Sequence, residues 1–321
     1  MGLTFLMSYP GAEWQIRGAQ NPLSKSKSPT NPKAALKEWL RLGDAMSHAG
    51  ARIAVLRPDE KLTGLPYTSN LGALFRQTEG APFYIAQSAA KHRKAEGDRV
   101  EKFLKEAGVP TARCKHAWEG QSEVHLLPGN RVILTYGPRS TKEAVESLRE
   151  AVVPGARILE IQTQEGYPFG DCVVGVLTAR NGDCVLLAWG GGMANRGVAE
   201  VRSFVGNYAE VVPIEDGEDA AKLACQSFSV GGTAFVPAGL STGFRSSLAR
   251  RGFPLEELEM PELLGKGGGG PRSLVNELRG LVLAEEGPTY ANMREELDAL
   301  VERYPLKPEG SGKPEKSEKG K

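Results

Sequence analysis

The sequence predicts an α/β fold, a pseudo-symmetric ring of five ββαβ units closed by a C-terminal strand, and three observations carry that prediction. Hairpin-turn signals recur at Glu79-Gly80, Pro128-Gly129-Asn130, Asn181-Gly182-Asp183 and Gly231-Gly232, with central glycines 49, 53 and 49 residues apart. Each hairpin leads into a helical pattern, and five such patterns end at a glycine just before a short strand, at Gly50, Gly108, Gly155, Gly206 and Gly252. Segments 172–177 and 183–189 are continuous apolar runs, as suits strands covered on both faces.

Unit one offers a strand at 3–7, a helix over 30–39 and a strand at 50–56, but no hairpin partner. The third helix shows the packing logic. Ser140-Thr141-Lys142-Glu143 is a capping-box pattern, and Ala144, Val145, Leu148 and Val152 form a narrow apolar stripe that covers one face of a sheet. Segment 273–283 follows the fifth unit and is predicted to return and complete the first, since a ring leaves no exposed sheet edge. Residues 289–304 read as a capped amphipathic helix with Tyr290, Met293, Leu297, Leu300 and Tyr304 on one side. Residues 305–321 carry five Lys, three Glu and no periodic apolar residue, the composition of a disordered tail. The predicted organisation is a ring domain at 1–288, a helix packed on it at 289–304, and the tail at 305–321.

Composition narrows the function. The chain has 321 residues, 40 Lys+Arg against 39 Asp+Glu and a net charge of +1, which argues against nucleic acid or an anionic membrane as the main partner. The first ten residues have no basic region and too short an apolar run for a secretion signal, and no apolar stretch approaches the eighteen or so residues of a membrane span, so a cytoplasmic protein is expected. Four cysteines without a Cys-x-x-Cys pair and only four His give no metal-ligand spacing. Structural thiols, no metal and no cofactor are expected.

In a ring of such units the converging groups lie in loops around the axis. The candidate loops are Asn21-Pro22, Thr68-Ser69-Asn70-Leu71-Gly72, Glu119-Gly120-Gln121-Ser122-Glu123, Tyr136-Gly137-Pro138-Arg139-Ser140, Tyr167-Pro168-Phe169-Gly170-Asp171, and the glycine run 267–270 leading to Pro271-Arg272-Ser273. The glycine run is not a phosphate loop, because no Gly-Lys-Ser/Thr follows it.

These loops, in this order, resemble the guanidine-modifying pentein superfamily of dimethylarginine dimethylaminohydrolase, arginine deiminase and amidinotransferase, over roughly residues 3–283. The family pattern reads Asn-Pro, Thr-Ala-Asn-x-Gly, Glu-Gly-x-x-Asp, Gly-Tyr-Gly-x-Arg-Thr, His-x-Asp, and a Gly-rich turn ending in a nucleophilic Cys. A planar guanidinium needs paired carboxylates, and the resemblance implies Glu123 and Asp171 for that role. It implies Asn70, Glu119, Arg139 and Asn21 as ligand contacts, with Arg139 meeting a ligand carboxylate or serving only as a surface ion-pair residue. Asn70 and Asn21 have a structural reading as well, as holders of tight loops.

The sequence departs from the family where the chemistry sits. Ser273 stands at the nucleophile position, and a hydroxyl without a base is a weak nucleophile beside a thiolate. Phe169 stands at the His position when Asp171 is aligned with the family Asp, or Pro168 when no gap is allowed; Thr63-Gly64 replaces the acidic residue upstream of Thr-Ala-Asn. His125, two residues after Glu123, is the one imidazole placed to substitute, although an ordinary strand His is the simpler reading. The expectation is a pseudoenzyme that binds a small guanidino ligand or an arginine side chain. The alternatives are an active guanidine hydrolase or transferase with altered residues, and an interaction scaffold without a small ligand, with a homodimer or protein partner.

Overall fold

The computed structural model describes residues 3–16, 22–24, 28–75, 80–152, 154–278 and 287–305. It contains five three-stranded sheets. In the first unit β1 (Thr4–Ser8) leads through α1 (Pro32–His48) to β2 (Arg52–Leu56), which pairs with it in parallel. The second unit comprises β3 (Gly72–Ala73), β4 (Phe83–Ile85), α2 (Glu96–Glu106) and β5 (Thr111–Arg113). The third comprises β6 (Val124–Leu127), β7 (Arg131–Tyr136), α3 (Lys142–Leu148) and β8 (Arg157–Gln162). The fourth has β9 (Val174–Thr178), β10 (Cys184–Ala188), α4 (Val198–Val205) and β11 (Glu210–Pro213), and a short α5 (Gly217–Ala221) precedes the fifth. That last unit has β12 (Phe228–Val230), β13 (Thr233–Pro237), α6 (Thr242–Arg250) and β14 (Leu255–Leu258). In each of these four units the hairpin pair is antiparallel and the strand after the helix is parallel to the middle strand.

The first unit reaches the same three-strand pattern through β15 (Asn276–Glu277), which pairs antiparallel with β1 at Phe5↔Glu277 and Leu6↔Asn276. The rest of the returning segment, 279–283, lies outside the described residues, as do Asn21, Glu79 and the tail from 306 onward. The glycines before β2, β5, β8, β11 and β14 all have positive φ, between +55° and +92°, a region where a Cβ is costly. Each sheet's first strand follows a short 3-10 turn: Thr68–Leu71, Gly120–Glu123, Gly170–Cys172, Ala224–Gln226 and Pro271–Leu274. These turns carry buried polar residues, among them Asn70, Glu123, Asp171, Gln226 and Ser273.

Helices differ from the sequence reading mainly at their ends. The first runs on to His48 because Leu40, Leu42 and Met46 continue its buried face. The last, α7 (Tyr290–Arg303), is capped by the Thr289 side chain and buries Tyr290, Met293, Leu297 and Val301. It packs on α1, where the Tyr290 hydroxyl donates to Asp44 (2.8 Å) and Arg294 pairs with the same carboxylate. The third helix is capped by Thr141, whose hydroxyl accepts from Ala144 N, and not by Ser140 as the capping-box pattern suggests. That one-residue shift frees Ser140 for the interior. Among the described residues no helix is long and apolar enough to cross a membrane.

Candidate functional site

A narrow cavity of about 80 Å³ is walled by Trp14, Tyr67, Asn70, Arg93, Arg139, Phe169 and Ser273, with the backbone of 267–269 closing one side. Glycine is required there by close approach. A Cβ on Gly269 would lie 2.5 Å from Ser273 Oγ and 2.5 Å from the Tyr67 ring. Tyr67 in turn anchors the loop by donating to Leu263 O at 3.0 Å.

Two arginines dominate the electrostatics. Arg93 is held by Glu96 (Nη2 to Oε2, 2.8 Å; Nε to Oε2, 2.9 Å), donates to Gly64 O, and comes within 3.5 Å of Glu119 Oε2. Arg139 lies 3.7 Å from Glu119 Oε1 and sets its guanidinium over the Phe169 ring at 5.4 Å. Glu119 is fully buried and takes a further donor from Ser88 at 2.8 Å. Burial raises the pKa of Glu96 against the pull of Arg93; burial would lower that of Arg93, but Glu96 and Glu119 outweigh it and hold the guanidinium charged. Gly64 makes this network possible, because a Cβ there would fall 2.3 Å from Glu96 Oε1 and 2.4 Å from Arg93 Nε.

Glu123 is buried nearby with its oxygens already bonded. Oε2 accepts from the Thr135 hydroxyl and from Gly170 N (3.0 Å), and Oε1 accepts from Ser140 Oγ (2.8 Å). Ser140 also accepts from Glu119 N, so one hydroxyl joins both acids of the Glu119-to-Glu123 turn. Burial lifts the Glu123 pKa to about 8, against the lowering effect of the two hydroxyls. Asp171 lies elsewhere, in a second cavity, where Gln226 Nε2 donates to its Oδ1 at 2.7 Å. Burial lifts its pKa to about 6 despite the opposing charge of Arg272.

The comparisons can be set against this geometry. No family model matches the chain. It is 23% identical over 269 residues to the N(G),N(G)-dimethylarginine dimethylaminohydrolase of Mycobacterium tuberculosis, covering 84% of each protein. The N-terminal domain of ArgZ, a cyanobacterial arginine dihydrolase solved with product, superposes with a TM-score of 0.77 at 16% identity, over 88% of this chain and all of that one. A mutant of AgrE solved with L-arginine gives 0.76 at 19% identity, over 89% of this chain and 41% of that one. A dimethylarginine dimethylaminohydrolase adduct gives 0.64 at 16% identity, over 87% of this chain and all of that one.

The chain has the pentein fold.

Within this fold the small cavity gathers Asn70, Arg139 and Ser273 from the residues singled out in the sequence, together with Phe169. Asn70 reaches inward only in part, since its amide donates to Ser122 Oγ at 3.0 Å. Glu119 stands behind the two arginines and does not line the cavity. Of the pair expected to clamp a guanidinium, Glu123 is bonded by three internal donors and Asp171 lines the second cavity, although the two are near enough for the charge of Asp171 to raise the Glu123 pKa. His125 lines that second cavity as well and cannot serve Ser273. Asn21 lies outside the described residues. Sequence reasoning missed Arg93, Glu96 and His92, all near the start of α2; the signal that could have found them is the bare Gly64, whose missing side chain makes their room. The cysteines are all buried, and burial pushes the Cys172 and Cys225 thiols well up, which keeps them protonated.

Proposed function

We propose that this pentein is a pseudoenzyme with little or no guanidine hydrolysis or amidino transfer, and that its own Arg93 occupies the acids a bound guanidinium would need. In this reading the five sheets close into a ring around the axis, with α7 on its exterior. The support for closure is a relay of hydrogen bonds between successive 3-10 turns. Asn70 donates to Ser122, Gly170 N to Glu123, Gln226 to Asp171 and Gly270 N to Gln226 (2.5 Å), and Asn276 Nδ2 donates back to Thr68 O and Gly72 O.

The observation that carries the reading is the state of Ser273. Its hydroxyl donates to Gly270 O at 2.7 Å, so its proton points to a backbone carbonyl and not to a base. Nucleophilic attack on a guanidinium carbon needs a deprotonated nucleophile and a group to protonate the leaving amine. Phe169 supplies neither. The relatives named above act on or bind arginine and its derivatives. An arginine-like ligand in this cavity would meet Arg93 and Arg139 and no carboxylate among the described lining residues, so its guanidinium must first displace Arg93 from Glu119.

The test is turnover. Incubation with L-arginine and with dimethylarginine should release no citrulline, urea or ammonia, and a haloacetamidine should leave no covalent adduct by intact-mass spectrometry. Product release that disappears in Ser273→Ala sinks the reading. His92, which lines the same cavity, favours a second reading in which it acts as base for Ser273. That reading requires turnover to fall in His92→Ala as well.

A further inference from the structure

The 3-10 turns that build the small cavity also build a larger one. Phe169 and Ser273 line the first, while Asp171 and Arg272, from the same stretches of chain, line a second of about 540 Å³ bounded by β1, β6, β9 and β12. Two polar atoms in its wall are left without a partner. Asp171 Oδ2 and His125 Nε2 accept or donate no hydrogen bond, in residues only 2% and 6% exposed. A polar atom buried without a partner is destabilising, so two in one cavity point to an occupant that bonds both.

The charges of the wall say what kind. Asp171 and Glu277 are matched in number by Arg180 and Arg272, and burial with the field of Arg272 depresses the His125 pKa to about 3, leaving a neutral imidazole. An ionic ligand would lose its hydration without a net countercharge to replace it. The remaining wall sets the rings of Phe5 and Phe228 beside the hydroxyl residues Thr178, Ser227 and Ser229.

We propose that this second cavity binds an uncharged small molecule carrying a primary amide or urea, its N–H donating to Asp171 Oδ2, its carbonyl accepting from His125 Nε2–H, and its apolar body lying against Phe5 and Phe228. The site is separate from the Ser273 cavity and stands whether or not that cavity turns over guanidines.

Calorimetric titration of the full chain with phenylurea and benzamide, beside phenylguanidinium and benzoate as charged counterparts, tests it. The expected result is saturable binding of a neutral probe and binding of both ions weaker by about tenfold or more. His125→Phe, which keeps the ring shape and removes the donor, should weaken the neutral probe about tenfold, as for one lost hydrogen bond. Val176→Phe should abolish binding by filling the cavity, with thermal unfolding checking that both variants fold. No saturable binding of either neutral probe, tighter binding of phenylguanidinium, or unchanged affinity in both variants would overturn the proposal and leave the cavity to water.

Discussion

The two cavities of this protein are built from the same turns and differ in how their polar groups are met. Around the small cavity the charges are met by one another or by internal donors: Arg93 by Glu96, Glu119 and Gly64, and Glu123 by Thr135, Ser140 and Gly170, while Glu119 Oε2 and Arg139 Nε have ion-pair contacts but no hydrogen bond. In the larger one Asp171 and His125 each keep an atom unbonded. A site is thus not defined by which residue types converge on it. What matters is whether their hydrogen-bonding capacity is already spent, because only an unspent buried group gains by taking a ligand.

The sharpest way to break that contrast is to remove the resident guanidinium. Arg93→Met leaves Glu96 and Glu119 buried without their main counter-ion, and breaking a buried pair from one side costs about 3–5 kcal/mol. Urea unfolding should show a fall of that size. A loss below about 1 kcal/mol, the range of exposed ion pairs, would mean Arg93 is dispensable and the acids are free for ligand.

Next in size is the link between the cavities. Gln226 donates to Asp171 Oδ1 and accepts from Gly270 N, so it joins an acid of the larger cavity to the loop that holds Ser273. Gln226→Leu keeps the volume and strands both partners, at about 2–3 kcal/mol of stability by the same unfolding measurement. Gln226→Glu should cost less at pH 5 than at pH 8, because a protonated carboxyl can still donate to Asp171.

How much of this was legible in the sequence follows from the range of the forces involved. The repeat, the helix-end glycines and the return of β15 to β1 come from periodicity and turn chemistry, which are local and read directly off the chain. The content of the small cavity depends on contacts across long separations. Glu96 reaches Gly64 across 32 residues, and Ser140 reaches Glu123 across 17. The capping-box pattern misplaced Ser140 for the same reason: Thr141 satisfies the helix end equally well, and two buried acid-turn groups compete for the Ser140 hydroxyl. Asp171 was legible as a site acid but not as an acid of a different cavity, since a 3-10 turn sends neighbouring residues to different sides.

A stability profile against pH separates the two acids. Burial raises the Glu123 pKa from an ordinary 4.5 to about 8, so the folded chain holds a proton there that the unfolded chain has released. Stability from this group is therefore full below about pH 4.5, falls as pH rises toward about 8, and is level beyond, with a slope of at most about 1.4 kcal/mol per pH unit. Asp171 acts in the same direction over a lower window, from 3.8 to about 6. Glu123→Gln, which presents the neutral form permanently, should flatten the stability profile between pH 6 and 8 and about halve the slope between 4.5 and 6, where both acids contribute. Asp171→Asn should leave the slope between 6 and 8 and about halve that between 4.5 and 6. Unfolding midpoints in urea across pH 4 to 9 for the parent and both variants decide it. A profile that Glu123→Gln leaves unchanged above pH 6 would mean that its carboxyl is ionised in the folded protein, its charge held by the Thr135 and Ser140 hydroxyls and by Gly170 N.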